Sequence, residues 1–260
     1  MTTVALGNTN LAVTPIGFGA FKIGRDAGTK YPGAYQIPDE GEAVAIVHAM
    51  LDLGINYIDT APAYGLSEER VGKALDALTR EQRDNVVVST KVGEAFSVVD
   101  GQPHSEYRYD AASIRASIDR SRERLGRDTL DIVFIHSNGE DDRILNATDA
   151  VETLTALRDA GTVRAIGLSG KTAVGFAQSF DWADVAMVEY SPAAPELADT
   201  ITLARERGIG VIVKKALASG HLPADEALRF VFDHPGVNAA VIGTLNPDHM
   251  RANLTAASRE

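Results

Sequence analysis

The sequence has little of three things: cysteine, positive charge and long apolar runs. Its 260 residues include no cysteine, which excludes disulfides, a thiolate nucleophile and zinc bound through cysteine. Acidic residues outnumber basic ones by 36 to 25, which gives a formal net charge of −11. With no basic run, this balance argues against nucleic acid or an anionic membrane surface as the main partner. It still allows a local positive pocket for a phosphorylated cofactor.

The sequence also shows neither the pattern of a membrane-spanning segment nor that of a targeting segment. No apolar run approaches the roughly 18 residues that span a bilayer. The opening MTTVALGNTNLAVTP does not combine a cationic end with a long apolar stretch. We therefore expect a cytoplasmic protein without a signal peptide. With 45% hydrophobic residues, the chain can bury a large core, and its length suits two small domains or one α/β barrel.

What the sequence does contain is a repeated strand–helix pattern. Eight apolar, β-rich runs alternate with helical periodicity: IGFGAF, INYID, NVVVSTK, LDIVFIH, VRAIGLS, VAMVEY, IGVIVKK and NAAVIGT. The runs are nearly continuous in valine and isoleucine, which is typical of parallel strands covered on both faces. No linker divides them, so we predict one (β/α)8 TIM barrel domain over residues 1–260. VALGNTNLAV predicts an N-terminal β-hairpin turning at residues 7–10, which we expect to plug the bottom of the barrel.

Local signals refine the helices and loops. Ser67, followed by two glutamates, and Asp110 are candidate helix N-caps. The periodicity of NATDAVETLTALRDAG predicts one helix before the fifth strand. Two long loops follow the first and third strands: KIGRDAGTKYPGAYQIP and VGEAFSVVDGQPHSEYRY. We expect these loops to shape a substrate pocket, and the candidate lining residues are Phe21, Tyr31, Phe96 and Tyr107.

Polar residues follow almost every predicted strand. In a parallel barrel these strand ends meet at one rim, where the chemistry of such folds is found. Each residue alone has a structural alternative: an aspartate as a turn residue, a tyrosine as a half-buried aromatic, a histidine bonded to backbone. A lysine at the barrel mouth needs a carboxylate partner when buried, and Asp59 is the candidate partner of Lys91. The rim residues are Asp59, Tyr64, Lys91, His136, Ser169, Glu189, Tyr190, Lys214, Lys215, Gly243 and Thr244.

Four of these residues together have the composition of a proton-transfer site: Asp59, Tyr64, Lys91 and His136. A free tyrosine has a pKa of about 10 and is a poor acid or base at neutral pH. An ammonium near Tyr64 would lower that pKa, and a carboxylate would hold the lysine in place. His136 would orient a carbonyl or hydroxyl toward the phenol. Such a site is suited to moving a proton on oxygen beside a separate hydride carrier.

One rim loop has a second interpretation. VRAIGLSGKT matches a phosphate-binding loop at Gly170, Lys171 and Thr172, with Ala165 in place of the first glycine. That match raises the alternative of an NTPase. The loop is the fifth of eight strand ends, and the next strand offers Glu189 rather than the aspartate of a Walker-B strand. The neighbouring strands therefore favour a barrel rim, with Lys171 and Thr172 beginning a helix.

The sequence resembles the aldo/keto reductase family of nicotinamide-dependent (β/α)8 barrels. LDLGINYIDTAPAYGLSEERVGKAL is the most specific stretch, and LGNTNLAVTPIGFGAF, STK, LDIVFIH and GTVRAIGLS occur in the family's order. The resemblance implies hydride transfer between nicotinamide and an aldehyde, ketone or aldose. It also implies Asp59, Tyr64, Lys91 and His136 as a catalytic tetrad. Tyr64 would be the general acid/base, Lys91 would pair with Asp59, and His136 would position the substrate oxygen.

The resemblance implies cofactor contacts as well, with some departures from the family pattern. Gly170 replaces an asparagine, Met187 replaces a glutamine, and Lys214 replaces an aromatic that stacks on nicotinamide. Arg251 and the N-terminus of the last helix favour NADP(H) through its 2′-phosphate, with NAD(H) as the alternative. The implied cofactor-binding residues are Gly19, Ser169, Gly170, Lys214, Lys215, Gly243, Thr244, Asn246, Arg251 and Asn253.

The resemblance leaves a second class of function open. Some family barrels are regulatory subunits that bind NADPH as redox sensors without turnover. STKVG, at residues 89–93, is similar to the aldose and pyridoxal dehydrogenases of the family, which points to sugar oxidation. We expect a small carbonyl or sugar substrate, no metal, and a monomer or small homo-oligomer.

Overall fold

The structure, a computed structural model, describes residues 2–257. Its strands are β1 (Val4–Ala5), β2 (Ala12–Val13), β3 (Ile16–Gly19), β4 (Tyr57–Asp59), β5 (Val87–Val92), β6 (Glu94–Val99), β7 (Gln102–Tyr107), β8 (Leu130–His136), β9 (Val163–Ser169), β10 (Val185–Glu189), β11 (Gly210–Lys214) and β12 (Ala239–Ile242). The order β10-β11-β12-β3-β4-β5-β8-β9 closes a parallel barrel. The predicted (β/α)8 barrel is confirmed, and all eight predicted runs form its strands.

The helices lie between consecutive barrel strands or after the last one. They are α1 (Glu40–Asp52), α2 (Ser67–Asp76), α3 (Arg80–Asp84), α4 (Ala111–Leu125), α5 (Asp141–Ala147), α6 (Ala150–Asp159), α7 (Ala173–Ser179), α8 (Ala198–Glu206), α9 (Ala224–Asp233) and α10 (Pro247–Ala257). Short 3-10 turns occur at Ala20–Ile23, Pro62–Tyr64 and Ala218–Gly220. Among residues 2–257, no helix is both long and apolar enough to cross a membrane.

The core has two layers, one on each face of the barrel sheet. Tyr57, Phe134 and Met187 belong to a buried cluster inside the barrel. Ile58 and Val133, their neighbours along the chain, belong to the larger cluster that includes the helices. Side chains alternate between the faces of a strand, so both faces of the sheet are apolar. This arrangement is the physical reason for the near-continuous valine and isoleucine runs.

The N-terminal hairpin closes the bottom of the barrel. β1 and β2 pair antiparallel, and Leu6 and Leu11 between them join the cluster inside the barrel. The Asn8 N–H donates to the Gly208 carbonyl oxygen at 2.8 Å, and Asn238 Nδ2 donates to the Ala5 carbonyl oxygen at 2.9 Å. Because Gly208 and Asn238 lie within two residues of the starts of β11 and β12, the hairpin covers the N-terminal ends of the strands, as predicted.

In this N-terminal hairpin, Gly7 lies close to the backbone of Gly208 and Gly210, and this contact leads to a prediction about stability. Gly7 has φ +55°, and a Cβ there would lie 2.2 Å from the Gly210 nitrogen and 2.6 Å from the Gly208 oxygen. We expect Gly7→Ala to lower the free energy of unfolding by about 1–3 kcal/mol or more, measured by urea denaturation. Gly33→Ala is the matched control, because a Cβ there has no neighbour within 4 Å. Equal stability of the two variants would contradict the proposed plug.

The second long loop of the sequence is a β-hairpin, which corrects the prediction of an irregular segment. β6 and β7 pair antiparallel from Glu94 opposite Tyr107 to Val99 opposite Gln102. Asp100 and Gly101 form the two-residue turn, with φ values of 51° and 75°. An Asp-Gly pair between β-rich segments is the preferred sequence for such a turn. The signal was therefore present in SVVDGQPH.

The helix boundaries also differ from the predictions in places. Asp110 caps α4, since its side chain accepts from the Ser113 N–H at 2.9 Å. Ser67 is not an N-cap, because α2 already includes it and its buried hydroxyl donates to the Ala20 carbonyl oxygen at 2.8 Å. The predicted helix over NATDAVETLTALRDAG corresponds to the end of α5 and to α6, which are separate helices.

Candidate active site

A cavity of about 630 Å³ lies at the carboxyl ends of the barrel strands. Ligand pockets are typically about 300–1,000 Å³ in volume. Strand register brings rim residues together: Gly19 is opposite Asp59, His136 opposite Ser169, and Glu189 opposite Lys214. The lining contains many of the predicted site residues: Gly19, Phe21, Tyr31, Asp59, Tyr64, Tyr107, His136, Ser169, Met187, Lys214, Lys215 and Gly243.

A buried ion pair lies next to the cavity, and its aspartate, Asp59, is part of the lining. Lys91 Nζ lies 2.7 and 2.8 Å from the two carboxylate oxygens of Asp59 and donates to the Thr60 carbonyl oxygen at 2.9 Å. The side chains of Lys91 and Asp59 are 2% and 4% exposed. Burial lowers the pKa of Lys91, and the Asp59 carboxylate opposes that effect. Asp59 is thus the carboxylate partner that the burial of this lysine requires.

Tyr64 stands above this pair at the end of the 3-10 turn that follows β4. Its ring meets Phe21 edge-on, with centroids 5.0 Å apart, and Lys91 Nζ lies 4.6 Å from the ring centroid. Burial raises the pKa of Tyr64 well above its usual value, and Asp59 and Glu94 add to the rise. The predicted lowering by Lys91 is therefore wrong for this cavity. Because Asp59 balances the ammonium charge, the phenol keeps its proton at neutral pH.

His136 ends β8 and lies beside Tyr64, with ring centroids 6.2 Å apart at an interplanar angle of 85°. Its Nδ1 is 2.9 Å from Glu94 Oε2, although the carboxylate lies off the line of the ring N–H. Burial lowers the pKa of His136, and Glu94 opposes that effect. Burial alone would raise the pKa of Glu94, but His136 and Ser105 hold it at about 2.

Glu94 and Arg25 are cavity residues that the sequence interpretation missed. Both lie within the two long loops rather than at strand ends, so the rim pattern did not reveal them. Arg25 lines the cavity and donates to the carbonyl oxygens of Ala63, at 2.9 Å, and Ala27, at 2.8 Å. Phe96 does not line the cavity as predicted, because its ring packs against the Arg25 guanidinium, with the guanidinium carbon 3.6 Å from the ring centroid.

The implied nicotinamide contacts have an unusual arrangement around Lys214. Its Nζ donates to Ser169 Oγ at 2.9 Å and to the Gly170 carbonyl oxygen at 3.0 Å. Burial, together with the charges of Lys215 and Lys91, lowers the pKa of Lys214 to about 7. Lys215 pairs with Glu189.

The space around Gly170 explains one departure from the family pattern. A side chain at this position would contact Leu168 at 2.9 Å and Phe176 at 3.2 Å. These apolar groups take up the room that an asparagine would need. The backbone of Gly170 stays at the rim, where its carbonyl oxygen binds Lys214.

The implied cofactor-binding residues that follow Gly243, namely Thr244, Asn246, Arg251 and Asn253, lie outside the cavity lining. Thr244 Oγ1 accepts from the Asn246 N–H at 3.1 Å, and Asn246 Oδ1 accepts from the Asp248 N–H at 2.8 Å. These bonds order the start of α10. Arg251 is exposed on that helix, and Asn253 is buried.

The loop that matches a phosphate-binding sequence is already bonded to the protein's own carboxylate. Asp141 Oδ2 accepts from the backbone N–H groups of Lys171, at 2.9 Å, and Thr172, at 2.7 Å. The Thr172 hydroxyl also donates to Oδ2, at 2.8 Å, and Thr172 caps α7. The amides that would cradle a triphosphate are thus engaged, which contradicts the NTPase interpretation.

The cavity lining includes groups that suit a phosphorylated cofactor. Several cations line it, including Lys22, Lys214 and Lys215, and phosphate groups require such partners. Gly19 and Gly243 face each other at the rim, where a Cβ on Gly19 would lie 3.4 Å from the Gly243 nitrogen. Their missing side chains keep the cavity open between β3 and β12.

A closed parallel barrel with a charged cavity at the carboxyl ends of its strands is the architecture in which (β/α)8 enzymes hold their active sites. Residues 15–226 match the model of the aldo/keto reductase family. The chain belongs to this family.

Individual relatives agree with this assignment. The chain is 35% identical to L-galactose dehydrogenase of Arabidopsis thaliana over 84% of its length and 66% of that protein. It is 30% identical to D-threo-aldose 1-dehydrogenase of Pseudomonas sp. over 88% of its length and 73% of that protein. A solved structure from Pseudomonas aeruginosa, described as a candidate aldo-keto reductase, is 44% identical with a TM-score of 0.87. That likeness covers 98% of this chain and 94% of the other.

Proposed function

We propose that the protein is an NADP(H)-dependent oxidoreductase that transfers a hydride between nicotinamide and an aldehyde, ketone or aldose. The supporting observation is the buried Asp59–Lys91 pair beneath Tyr64, with His136 in the same cavity wall. The relatives named as L-galactose and D-threo-aldose dehydrogenases support sugars as substrates.

The proton step is assigned to Tyr64 as general acid/base. Its protonated phenol donates to the substrate carbonyl oxygen during reduction, and the phenolate takes the proton back during oxidation. Lys91 lies against the ring and is fixed by Asp59, so its positive charge is in place when the phenolate forms. A bound nicotinamide would supply or accept the hydride. His136 orients the substrate beside the phenol.

The dinucleotide would lie along the rim from β9 to β12. Ser169, Lys214 and Lys215 would bind its nicotinamide and phosphate portion, and Gly19 and Gly243 leave room for it. The N-terminus of α10, with Asn246 and Arg251, would bind the adenine end and the 2′-phosphate of NADP(H). Thr244 orders that helix start through Asn246, and buried Asn253 supports the same helix.

The cofactor preference is tested by titrating NADPH and NADH in a calorimeter. A charge-assisted bond to phosphate contributes about 1.5–3 kcal/mol, so we expect Arg251→Ala to weaken NADPH binding about 10–100-fold. NADH binding should stay unchanged. Arg205→Ala, at an exposed position on α8, is the matched control.

Three outcomes separate the alternatives. Equal affinity for both cofactors in the native protein would contradict the NADP(H) preference. Failure to bind either cofactor would overturn the proposed oxidoreductase. Tight NADPH binding with no turnover of an aldehyde, ketone and aldose panel would support a regulatory subunit instead.

A further inference from the structure

Glu94 and His136 form a carboxylate–imidazole pair that the proton step above does not use. Glu94 is the first residue of β6, and His136 is the last residue of β8. Besides the contact with His136, Glu94 Oε1 accepts from Ser105 Oγ at 2.7 Å. The Tyr109 hydroxyl donates to the His136 carbonyl oxygen at 2.8 Å. The side chain of Glu94 and the backbone of His136 are therefore both held in place.

The pair determines which nitrogen of His136 carries a proton. Nδ1 is buried against the Glu94 carboxylate, and an ionised carboxylate only accepts hydrogen bonds. A lone pair on Nδ1 would be repelled by a carboxylate oxygen 2.9 Å away, so the proton is assigned to Nδ1 even though the contact is not an aligned hydrogen bond. A neutral imidazole has a single N–H, so Nε2 has a free lone pair. The side chain is 19% exposed and lines the cavity, and Nε2 is the ring nitrogen that Glu94 leaves available to bound substrate.

The surrounding charges keep both groups in these forms at neutral pH. Burial lowers the pKa of His136, and the ammonium groups of Lys91 and Lys214 lower it further against the effect of Glu94. Arg25 faces Glu94 and helps to keep the pKa of that carboxyl low. Tyr64, edge-on to His136, is an uncharged phenol.

A free lone pair on Nε2 restricts what His136 can bind. It repels the lone pairs of a carbonyl oxygen and attracts an O–H donor. Tyr64 supplies the donor for the reacting carbonyl oxygen. The ring centroids of Tyr64 and His136 are 6.2 Å apart, so the two side chains reach neighbouring oxygens of one small substrate. The partner of His136 is then a hydroxyl on the carbon next to the carbonyl.

We propose that Glu94 sets His136 as a hydrogen-bond acceptor, so that the site selects α-hydroxy carbonyl substrates, such as aldoses and hydroxyaldehydes, over simple aldehydes. The inference rests on the proposed function, because Tyr64 must bind the reacting oxygen. Glu94 is a positioning residue that acts through His136. The same contact applies to sugar oxidation, where the neighbouring hydroxyl of the sugar is the donor.

The test compares two substrates of nearly equal shape, glycolaldehyde and propanal, by their kcat/KM with NADPH. A site that hydrogen-bonds a substrate hydroxyl rejects the analogue that lacks it. We expect native protein to prefer glycolaldehyde at least about 10-fold in kcat/KM, with each substrate concentration taken as that of the free, unhydrated aldehyde. Glu94→Ala should reduce this preference at least several-fold. Comparing the ratio between variants cancels the intrinsic reactivity of the two aldehydes.

Two further variants make the kinetic result specific. Glu94→Gln keeps the shape of the side chain, and its amide group can donate to Nδ1, so we expect a loss of preference in the same direction. Glu106→Ala, in the same hairpin and paired with exposed Arg108, should leave the preference unchanged. If Glu94→Ala folds poorly, Glu94→Gln gives the deciding result.

Nitrogen-15 NMR of the histidine rings gives a second measurement that does not depend on turnover. The native protein should show His136 protonated at Nδ1, and Glu94→Ala should shift the proton toward Nε2. An Nε2-protonated His136 in the native protein would overturn the inference. Equal loss of preference in the Glu94 and Glu106 variants, or no preference in native protein, would overturn it while leaving the oxidoreductase intact. Absence of both nicotinamide binding and turnover would overturn the proposed function, and the inference with it.

Discussion

Replacing Tyr64 with phenylalanine is expected to lower kcat/KM for carbonyl reduction by about 10²–10⁴, the usual contribution of a positioned proton donor. The substitution removes only the hydroxyl, and the ring keeps its edge-on contact with Phe21. Folding and nicotinamide affinity should therefore be preserved. Steady-state kinetics and calorimetry on the same preparation separate the chemical step from binding.

Tyr31→Phe is the matched control for this substitution. Tyr31 lines the same cavity, and burial raises its pKa to about 12. Its ring is 6.1 Å from Phe21 and lies beneath Lys22. Since nothing assigns it a proton transfer, we expect less than about a tenfold change. Full activity in the Tyr64 variant would refute the assignment of the acid/base.

The second large effect concerns stability. Asp59→Asn preserves the shape of the side chain but leaves the ammonium of Lys91, which is 2% exposed, without a counter-charge. Removing one partner of a buried ion pair typically costs about 3–5 kcal/mol. We expect a loss of this size in urea denaturation at neutral pH. The double variant Asp59→Asn/Lys91→Met should regain most of the stability, because no unpaired charge then remains.

The pH dependence of the single variant gives an additional check. Burial lowers the pKa of Lys91 from its usual 10.5, and without Asp59 nothing in the pair opposes that effect. Above the lowered pKa of Lys91 in the folded variant, the unfolded chain binds more protons than the folded protein, so stability rises with pH until the unfolded lysine deprotonates near 10.5. The slope should approach about 1.4 kcal/mol per pH unit. A pH-independent loss would mean that Lys91 keeps its proton in the folded variant, with its ammonium solvated or compensated by other carboxylates such as Glu68 and Glu94.

The sequence was sufficient to predict the barrel and its rim, for simple physical reasons. A parallel strand covered on both faces needs apolar side chains at most of its positions, and β8 (LDIVFIH) and β9 (VRAIGLS) have that pattern. Once eight such strands are recognised, their carboxyl ends must meet. Asp59, Lys91 and His136 then share one rim before any coordinate is known. The pairing of Asp59 with Lys91 follows from the cost of burying an ammonium.

The sequence was less informative about properties that depend on the surroundings of a side chain in the folded protein. Glu94 was missed because the segment after Lys91 was interpreted as irregular, although Asp100 and Gly101 mark a hairpin turn. The pKa of Tyr64 was predicted in the wrong direction. The residue types reveal a nearby lysine, but they do not reveal that burial and two carboxylates outweigh it. The affinity of a site for protons depends on solvent exclusion, which only the assembled cavity determines.

The β6–β7 hairpin has a consequence for how this active site can change. Glu94 at its base touches His136, whereas Val98 and Val99 near its tip are exposed. Its strands pair without a break from Glu94 opposite Tyr107 at the base to Val99 opposite Gln102 beside the turn. Of the hairpin residues, Glu94 and Tyr107 at the base line the cavity and the tip does not, so new side chains at the tip would alter the protein surface without moving the reacting groups. The outer half of the hairpin is therefore a segment that evolution or protein engineering can change while the chemistry at its base stays the same.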